Sequence, residues 1–569
     1  MMYLNDLRCQ ESRKKIAALG HIELIAAHLD LGRTVSELLP FLMEFQDEEE
    51  DVLLAFCEAL DVLEKFINRR RGDASELIPC FFVALSSEDS SVSQAAIKSL
   101  GHVARVTRFD GLFELAVSLL KYKSDMSSIS AIRIFCRFID YIPEKRYEQI
   151  AEIIKEVANS DRILIRAELA KELQALIVEA GQLEKSAIET LKKLTQDPQE
   201  TVVVATTQCW CSLSVSRPYF FNVVFPVLET LINFQSWRVR YTIVCGFPNI
   251  IVKAFPSEKS SEIMDHLIGY IKDPEIEVSI KAIEVLKEIT QYITHQELDT
   301  LIPALRGIID RVNFDTRLSI AKSLPALASV ELRENLTVYL EMVSKLLNDS
   351  NPEIPMELLS NFEPIWNNFH NSKLWEITSS ILINLLRNEL WTIRKQAVLS
   401  IEKISQKLGE AFASDPILTA GITERLSDKV FDIRDQTIAL LKSLSTHFGR
   451  DYAEKIALPI FKNFQDHKNY LYRINYLKGI SALSRLMSIK TIIKEVPKIE
   501  ALCSDKVPNV RQQALACLQR IFSTRNDPAI NEAVRRVTGL LSSDFDSEVL
   551  AEREKLITSI KADTSLEEE

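Results

Sequence analysis

Trp237, Arg238, Arg240 and Tyr241 crowd into the seven residues QSWRVRY, 235 to 241, and a related figure returns around Trp391 in ELWTIRK, 389 to 395. The chemistry these residue types do best is recognition. An indole or phenol offers a large rigid surface with a polar edge, a guanidinium adds a planar fork of donors, and all three are enriched at the energetic centres of protein interfaces. Covalent chemistry has no comparable foothold. The eight His are scattered, with no HExxH and no Cys/His grouping at zinc spacing, so no metal site is expected. The sequence holds no GxxxxGKS/T, no GxGxxG after a strand and no GxSxG nucleophile turn. Paired carboxylates are common, but without a partner base or a pocket they carry no catalytic signal. The residues predict a binding protein with no catalytic residue and no cofactor.

Composition bounds the partners. Against 68 Lys and Arg stand 80 Asp and Glu, a formal net charge of −12. That balance argues against nucleic acid, because phosphate backbones are bound by neutralising them with cations. The one tight basic cluster, Arg69 to Arg71 in INRRRGD, reads as a solvated loop between helices. No run of 18 or more uncharged apolar residues occurs, so no membrane partner is expected, and the chain reads as soluble and cytoplasmic, with the nucleus as a second compartment. The nine Cys lack any CxxC and mostly sit in apolar stretches such as LLAFCEAL and QALACLQ, as small core residues of a reducing compartment do.

The elements that position Trp237 and Trp391 are repeated. The two lie 154 residues apart, four steps of 38.5. An acidic or Asn turn, a β-branched or similar anchor, often an Arg, and an amphipathic helix recur at Val52, Val92, Ile129, Ile165, Val202, Val239, Val278, Thr316, Ile354, Ile393, Ile433, Tyr472, Val510 and Val549. Successive spacings run from 36 to 40, and a degenerate copy near Ser12 makes about fifteen units. Pro40, Pro79, Pro226, Pro303, Pro459 and Pro497 each precede an anchor by about 13 residues, which predicts a kinked first helix and a straighter second one. Only 14 Gly in 569 residues, and no β-type alternation, agree with helix nearly everywhere. The expected fold is all-α: one continuous HEAT-type αα superhelix over 1–569, with an acidic tail, 561–569, that frays.

The turn residues have structural work to do. Asp161, Asp197, Asp273, Asp349, Asp428 and Asp505 stand four or five positions before their anchors, where a carboxylate can cap the second helix for about 1 kcal/mol each. Arg166, Arg240, Arg317, Arg394, Arg434, Arg473 and Arg511 directly follow theirs, and in register they would pair with a carboxylate of the adjoining repeat as a charge ladder. Trp237, Arg238, Trp391, Phe431 and Tyr470 fall in short turns and are the candidates for docking. Trp210, Trp366 and Trp375 fall on apolar helix faces and read as core.

RTVSELLPFL (33–42), DEEEDVLLAFCEAL, QSWRVRY, LSDKVFDIRDQTIALLKSLSTHFGRDYA (426–453), DHKNYLYR and SDKVPNVRQQALACLQRI (504–521) resemble the scaffolding A subunits of protein phosphatase 2A, nearly end to end and in the same repeat order. The resemblance implies a non-catalytic scaffold. Its C-terminal turns, 380–560, would hold the phosphatase catalytic subunit; its N-terminal repeats, 1–310, would hold a regulatory B-type subunit. Carried over by motif, catalytic-subunit binding falls to Trp391, Thr392, Phe431, Asn469, Tyr470, Pro508 and Asn509. Regulatory-subunit binding falls to Ile163, Leu164, Glu200, Thr201, Trp237 and Arg238. The chain departs from the family pattern at Thr392, where the family has Arg, at Phe431, where it has Tyr, and at Met126, where it has Trp; DHKNY also carries one extra residue. Two other classes fit a helical repeat: an adaptor such as an importin-β-like transport receptor, and, least well given the acidic charge, a HEAT-like enzyme acting on nucleic acid.

Overall fold

The computed structural model describes residues 2–71, 73–105, 110–122, 124–216, 219–254, 259–310, 313–330, 335–365, 380, 382–413, 415–525 and 527–567. Every regular element among them is helical. Two compact units, Met1–Val285 and Leu286–Glu569, divide the chain.

The repeat register read from sequence is the register of the helices. Twelve of the fourteen anchors are the third residue of a second helix, as Val239 is in Trp237–Ala254 and Val510 in Pro508–Phe522. Ile129 is the fifth residue of its helix and Ile354 the second. All fourteen are buried except Tyr472, which is half-buried and donates its phenol to the Ser427 carbonyl at 3.2 Å. An apolar residue there points the first turn of each second helix into the layer between neighbouring hairpins, and the i, i+3, i+4 positions that follow continue the same face.

Within the first unit the second helices Ile163–Glu179, Glu200–Ser216 and Trp237–Ala254 pack side by side, each covered by its own first helix. Trp210 is fully buried there and donates its indole N–H to Thr195 Oγ1 at 2.9 Å. Within the second unit the series is Trp391–Ala413, Phe431–Phe448, Tyr470–Leu483, Pro508–Phe522 and Ser547–Glu567. A lone hairpin would leave one apolar face in water; stacking covers it, so each repeat depends on its neighbours.

Several expectations need correction. Pro40 and Pro459 follow a widened, π-type turn (Thr34–Leu38 and Ala453–Ala457), and Pro79 lies in a tighter 3₁₀ turn (Ser75–Cys80). Pro226, Pro303 and Pro497 sit inside uninterrupted helices, on the exposed face, where a carbonyl left without its donor can meet water. Arg69 to Arg71 form the last turn of helix Glu50–Arg71 rather than a loop, placing three cations at the negative end of its dipole. Cys245 is exposed and Cys9 half-buried, while the other seven thiols are buried. Trp366 and Trp375 lie outside the described residues.

Close approach of helices fixes Gly479. A Cβ there would lie 2.3 Å from Cδ1 of the Phe461 ring on the facing first helix, whereas one at Gly269 would meet nothing within 4 Å. Gly479→Ala should therefore destabilise the protein by about 1 kcal/mol or more through overpacking, while Gly269→Ala should gain up to about 1 kcal/mol from helix propensity. Denaturant unfolding of the two variants compares them directly.

Candidate protein-docking ridge

The turns are fixed by a recurring ion pair. Arg166 donates Nε and Nη2 to Asp197 at 2.7 and 3.1 Å, and Arg240 does the same to Asp273 at 2.8 and 2.9 Å. In the second unit the pairs are Arg317–Asp349, Arg394–Asp428, Arg473–Asp505 and Arg511–Asp544. Each Asp follows its Arg by 31 to 34 residues, so each rung joins one repeat to the next. The remaining Nη1 of Arg166, Arg240, Arg394, Arg473 and Arg511 donates to a carbonyl six residues upstream, which ties the guanidinium to its own turn as well.

The Asp residues do not cap the second helices as expected. Asp197, Asp273, Asp349, Asp428 and Asp505 each accept the backbone N–H two residues on, before the helix begins, and give their other acceptor capacity to the Arg. Asp544, absent from the residues expected to cap, is of the same kind and accepts from Asp546 N. Asp161 is exposed and takes no such part; Ser160 Oγ accepts the Arg162 N–H in that turn.

One rung is missing. Arg434 is buried and donates to the carbonyls of Asp428 and Lys429, but no carboxylate meets it among the described residues and its Nε has no partner. The position five residues before the next anchor, Tyr472, where every rung has its Asp, is His467, whose Nδ1 accepts the Asn469 N–H at 3.0 Å and so reproduces only the turn half of the Asp role. The preceding Asp466 is turned outward to Lys498. The extra residue of DHKNY thus shifts the carboxylate out of register.

On this frame the first residues of the second helices stand exposed. In the second unit they include Trp391 (45% exposed), Phe431 (57%) and Tyr470 (38%), joined by Leu390 and by Phe545, which is fully exposed. Phe431 carries two cations on its ring, Lys478 at 4.7 Å and Arg434 at 5.7 Å from the centroid. Thr392 is half-buried, and Asn509 is exposed. Asn469 caps its own helix through Leu471 N, and Pro508 fills the first helical position, so both have structural roles. In the first unit Ile163, Leu164 (62%) and Ile276 stand exposed. Arg238 lies over the Trp237 ring at 4.8 Å and pairs with Glu200 at 3.1 Å, leaving Trp237 half-buried and wedged edge-on against Tyr241; Thr201 beside Glu200 is exposed. Ile276, Leu390 and Phe545 were missed because aliphatic residues and a DFD turn resemble core and cap signals; their position at the helix start or one or two residues before it was the usable clue.

The fold is one of stacked HEAT-type helical hairpins: the HEAT repeat family matches residues 496–524, and the fold is similar to that of Kap95p solved in a study of its binding to RanGDP (TM-score 0.56, 10% identity, covering 98% of this chain and 80% of that one). Importin beta aligns with a TM-score of 0.52 at 14% identity over the same shares. In sequence, the relatives are of another kind. The chain is similar to the regulatory A subunit of protein phosphatase PP2A from Saccharomyces cerevisiae, 26% identical over 272 residues (44% of this chain, 42% of the relative). It is also similar to the Schizosaccharomyces pombe protein of that description, 23% over 264 residues (45% of each). The alpha isoform of the 65 kDa regulatory A subunit of serine/threonine-protein phosphatase 2A from Arabidopsis thaliana matches at 29% over 118 residues (21% and 20%). The matches span less than half the length of these relatives.

Two outcomes follow from the ladder. His467→Asp should supply Arg434 with its carboxylate and raise the thermal midpoint of the second unit, whereas His467→Ala, which loses the Asn469 contact and the ring packing on Tyr472, should lower it; differential scanning calorimetry reads both. The Arg511 guanidinium holds Asp544 below the ordinary carboxylate range. A depressed folded pKa contributes stability above the unfolded value of about 3.9 that is lost as pH falls through the folded pKa. Arg511→Met should therefore weaken the protein at neutral pH and flatten its pH dependence below about pH 4.

Proposed function

We propose that this chain is a non-catalytic scaffold of a protein phosphatase 2A type Ser/Thr phosphatase. It binds the catalytic subunit on the turns carrying Trp391, Phe431 and Tyr470, and a B-type regulatory subunit on those carrying Ile163, Leu164, Trp237 and Arg238. The observation that carries this reading is the row of exposed aromatics on turns pinned by buried ion pairs, in a chain whose sequence similarity extends over more than 250 residues to phosphatase regulatory A subunits. Rigid, amphipathic side chains presented at fixed spacing are what a protein interface uses for its energetic centre. Holding an enzyme and a specificity subunit on one body raises their effective concentration for each other.

The transport-receptor reading is the alternative, supported by the likeness of fold to Kap95p and importin beta. A likeness at 10 to 14% identity is one of architecture. Affinity purification from native extract should recover a Ser/Thr phosphatase catalytic subunit in near-equal amount. Recovery of a small GTPase with no phosphatase would favour the transport reading. Trp391→Ala and Tyr470→Ala should each weaken catalytic-subunit binding by about tenfold or more with the helical circular dichroism and its melting unchanged, and Trp237→Ala should act on the regulatory partner instead. Early melting of the first two variants would make those aromatics packing residues.

A further inference from the structure

A groove of about 790 Å³ opens on the second unit along helices Phe431–Phe448, Tyr470–Leu483 and Pro508–Phe522, and none of the exposed ridge aromatics lines it. Its walls follow helical spacing: Asp435, Ala439 and Lys442 from the first helix, Lys478 and Ala482 from the second with Arg485 just beyond its end, Gln513, Ala516 and Arg520 from the third. One alanine per helix, Ala439, Ala482 and Ala516, keeps the floor low.

The charge of this groove runs against that of the chain. Four cations (Lys442, Lys478, Arg485, Arg520) face one carboxylate, Asp435, a local balance of +3 in a protein of net charge −12. Lys478 is paired with Asp435 at 2.7 Å. Among the described residues, no side chain meets the charged groups of Lys442, Arg485 or Arg520, all of which are exposed. On the turn ridge the opposite holds, since six Arg have Asp partners. Arg485 is also held in place: the Arg525 guanidinium donates to the carbonyls of Ser484, Arg485 and Met487, fixing the segment that carries it.

We propose that this groove binds an acidic linear segment of a partner protein, with Lys442, Arg485 and Arg520 pairing to its carboxylates and Gln513 available to its backbone. Three helices packed at roughly 8 to 10 Å give a span of about 20 Å, which about six extended residues cover. A peptide fits better than a single-stranded nucleic acid because no aromatic side chain lines the groove for base stacking. The proposal is independent of the phosphatase reading.

Fluorescence anisotropy on the full chain tests it, with three labelled probes: a twelve-residue peptide alternating Glu and Ser, its Lys and Ser counterpart, and a twelve-nucleotide oligouridylate. The Glu peptide should bind, and binding should weaken as salt rises; the Lys peptide should not bind. The triple variant K442E/R485E/R520E should lose at least about tenfold in affinity with an unchanged thermal midpoint, since these side chains hold nothing else. Should that variant melt early, the neutral K442Q/R485Q/R520Q should show the same direction of loss. Equal binding of the Glu and Lys peptides, undiminished binding in both triple variants, or tighter binding of the oligouridylate than of the Glu peptide would overturn the proposal.

Discussion

The bidentate Arg–Asp pair between consecutive turns is the constraint from which the functional surface follows. Burial of apolar helix faces holds hairpins together, but that force has no direction and tolerates sliding. A guanidinium with two donors on a carboxylate of the next repeat, and a third on a carbonyl of its own turn, accepts one relative position. Because these groups are largely removed from water, breaking a pair leaves an uncompensated charge at a cost of about 3 to 5 kcal/mol. The pair contributes more to register than to net stability.

Register in turn decides what the turns can present. With each anchor sealed beneath the start of a second helix, the residues one or two places before it have nowhere to go but outward, which is why Trp391, Phe431 and Tyr470 stand exposed next to buried Ile393, Ile433 and half-buried Tyr472. The exposed side chains and the side chains that pack are neighbours in sequence on opposite sides of one backbone. The groove on the second helices is a different surface with a different chemistry, lined by exposed cations and small residues where the ridge has aromatics and compensated charge.

Much of this was legible in the sequence because the repeat carries its own phase. An anchor residue, aliphatic at twelve of fourteen positions and recurring every 36 to 40 residues, located twelve helix starts to the residue, and the Arg that follows seven of the anchors marked the ladder. What escaped was set by partners distant in the chain. Nothing local distinguishes Arg434 from Arg473; only the inserted residue before Asn469 removes its carboxylate, and His467 looks like any turn residue until its ring is seen accepting a backbone N–H. The Asp residues were given the wrong donor because a carboxylate before a helix suggests a cap, while the Arg 31 to 34 residues upstream competes for it. Asn469 and Pro508 have a local reason beside the motif: Asn469 accepts the Leu471 N–H, and Pro508 fills the first helical position, where no N–H is needed.

The most direct measurement is a double-mutant cycle on Arg473 and Asp505, read by hydrogen exchange of the backbone amides of residues 505–522 in the full chain, where local opening is resolved without assuming that the array unfolds as one. If the rung sets the register, Arg473→Met and Asp505→Asn will each raise exchange across that turn and helix, and the double variant will recover a coupling of about 1 to 3 kcal/mol. Additive effects within about 0.3 kcal/mol, with the turn at 505–509 as protected as in the parent, would mean that apolar stacking alone places the ridge and that the ion pairs merely decorate it.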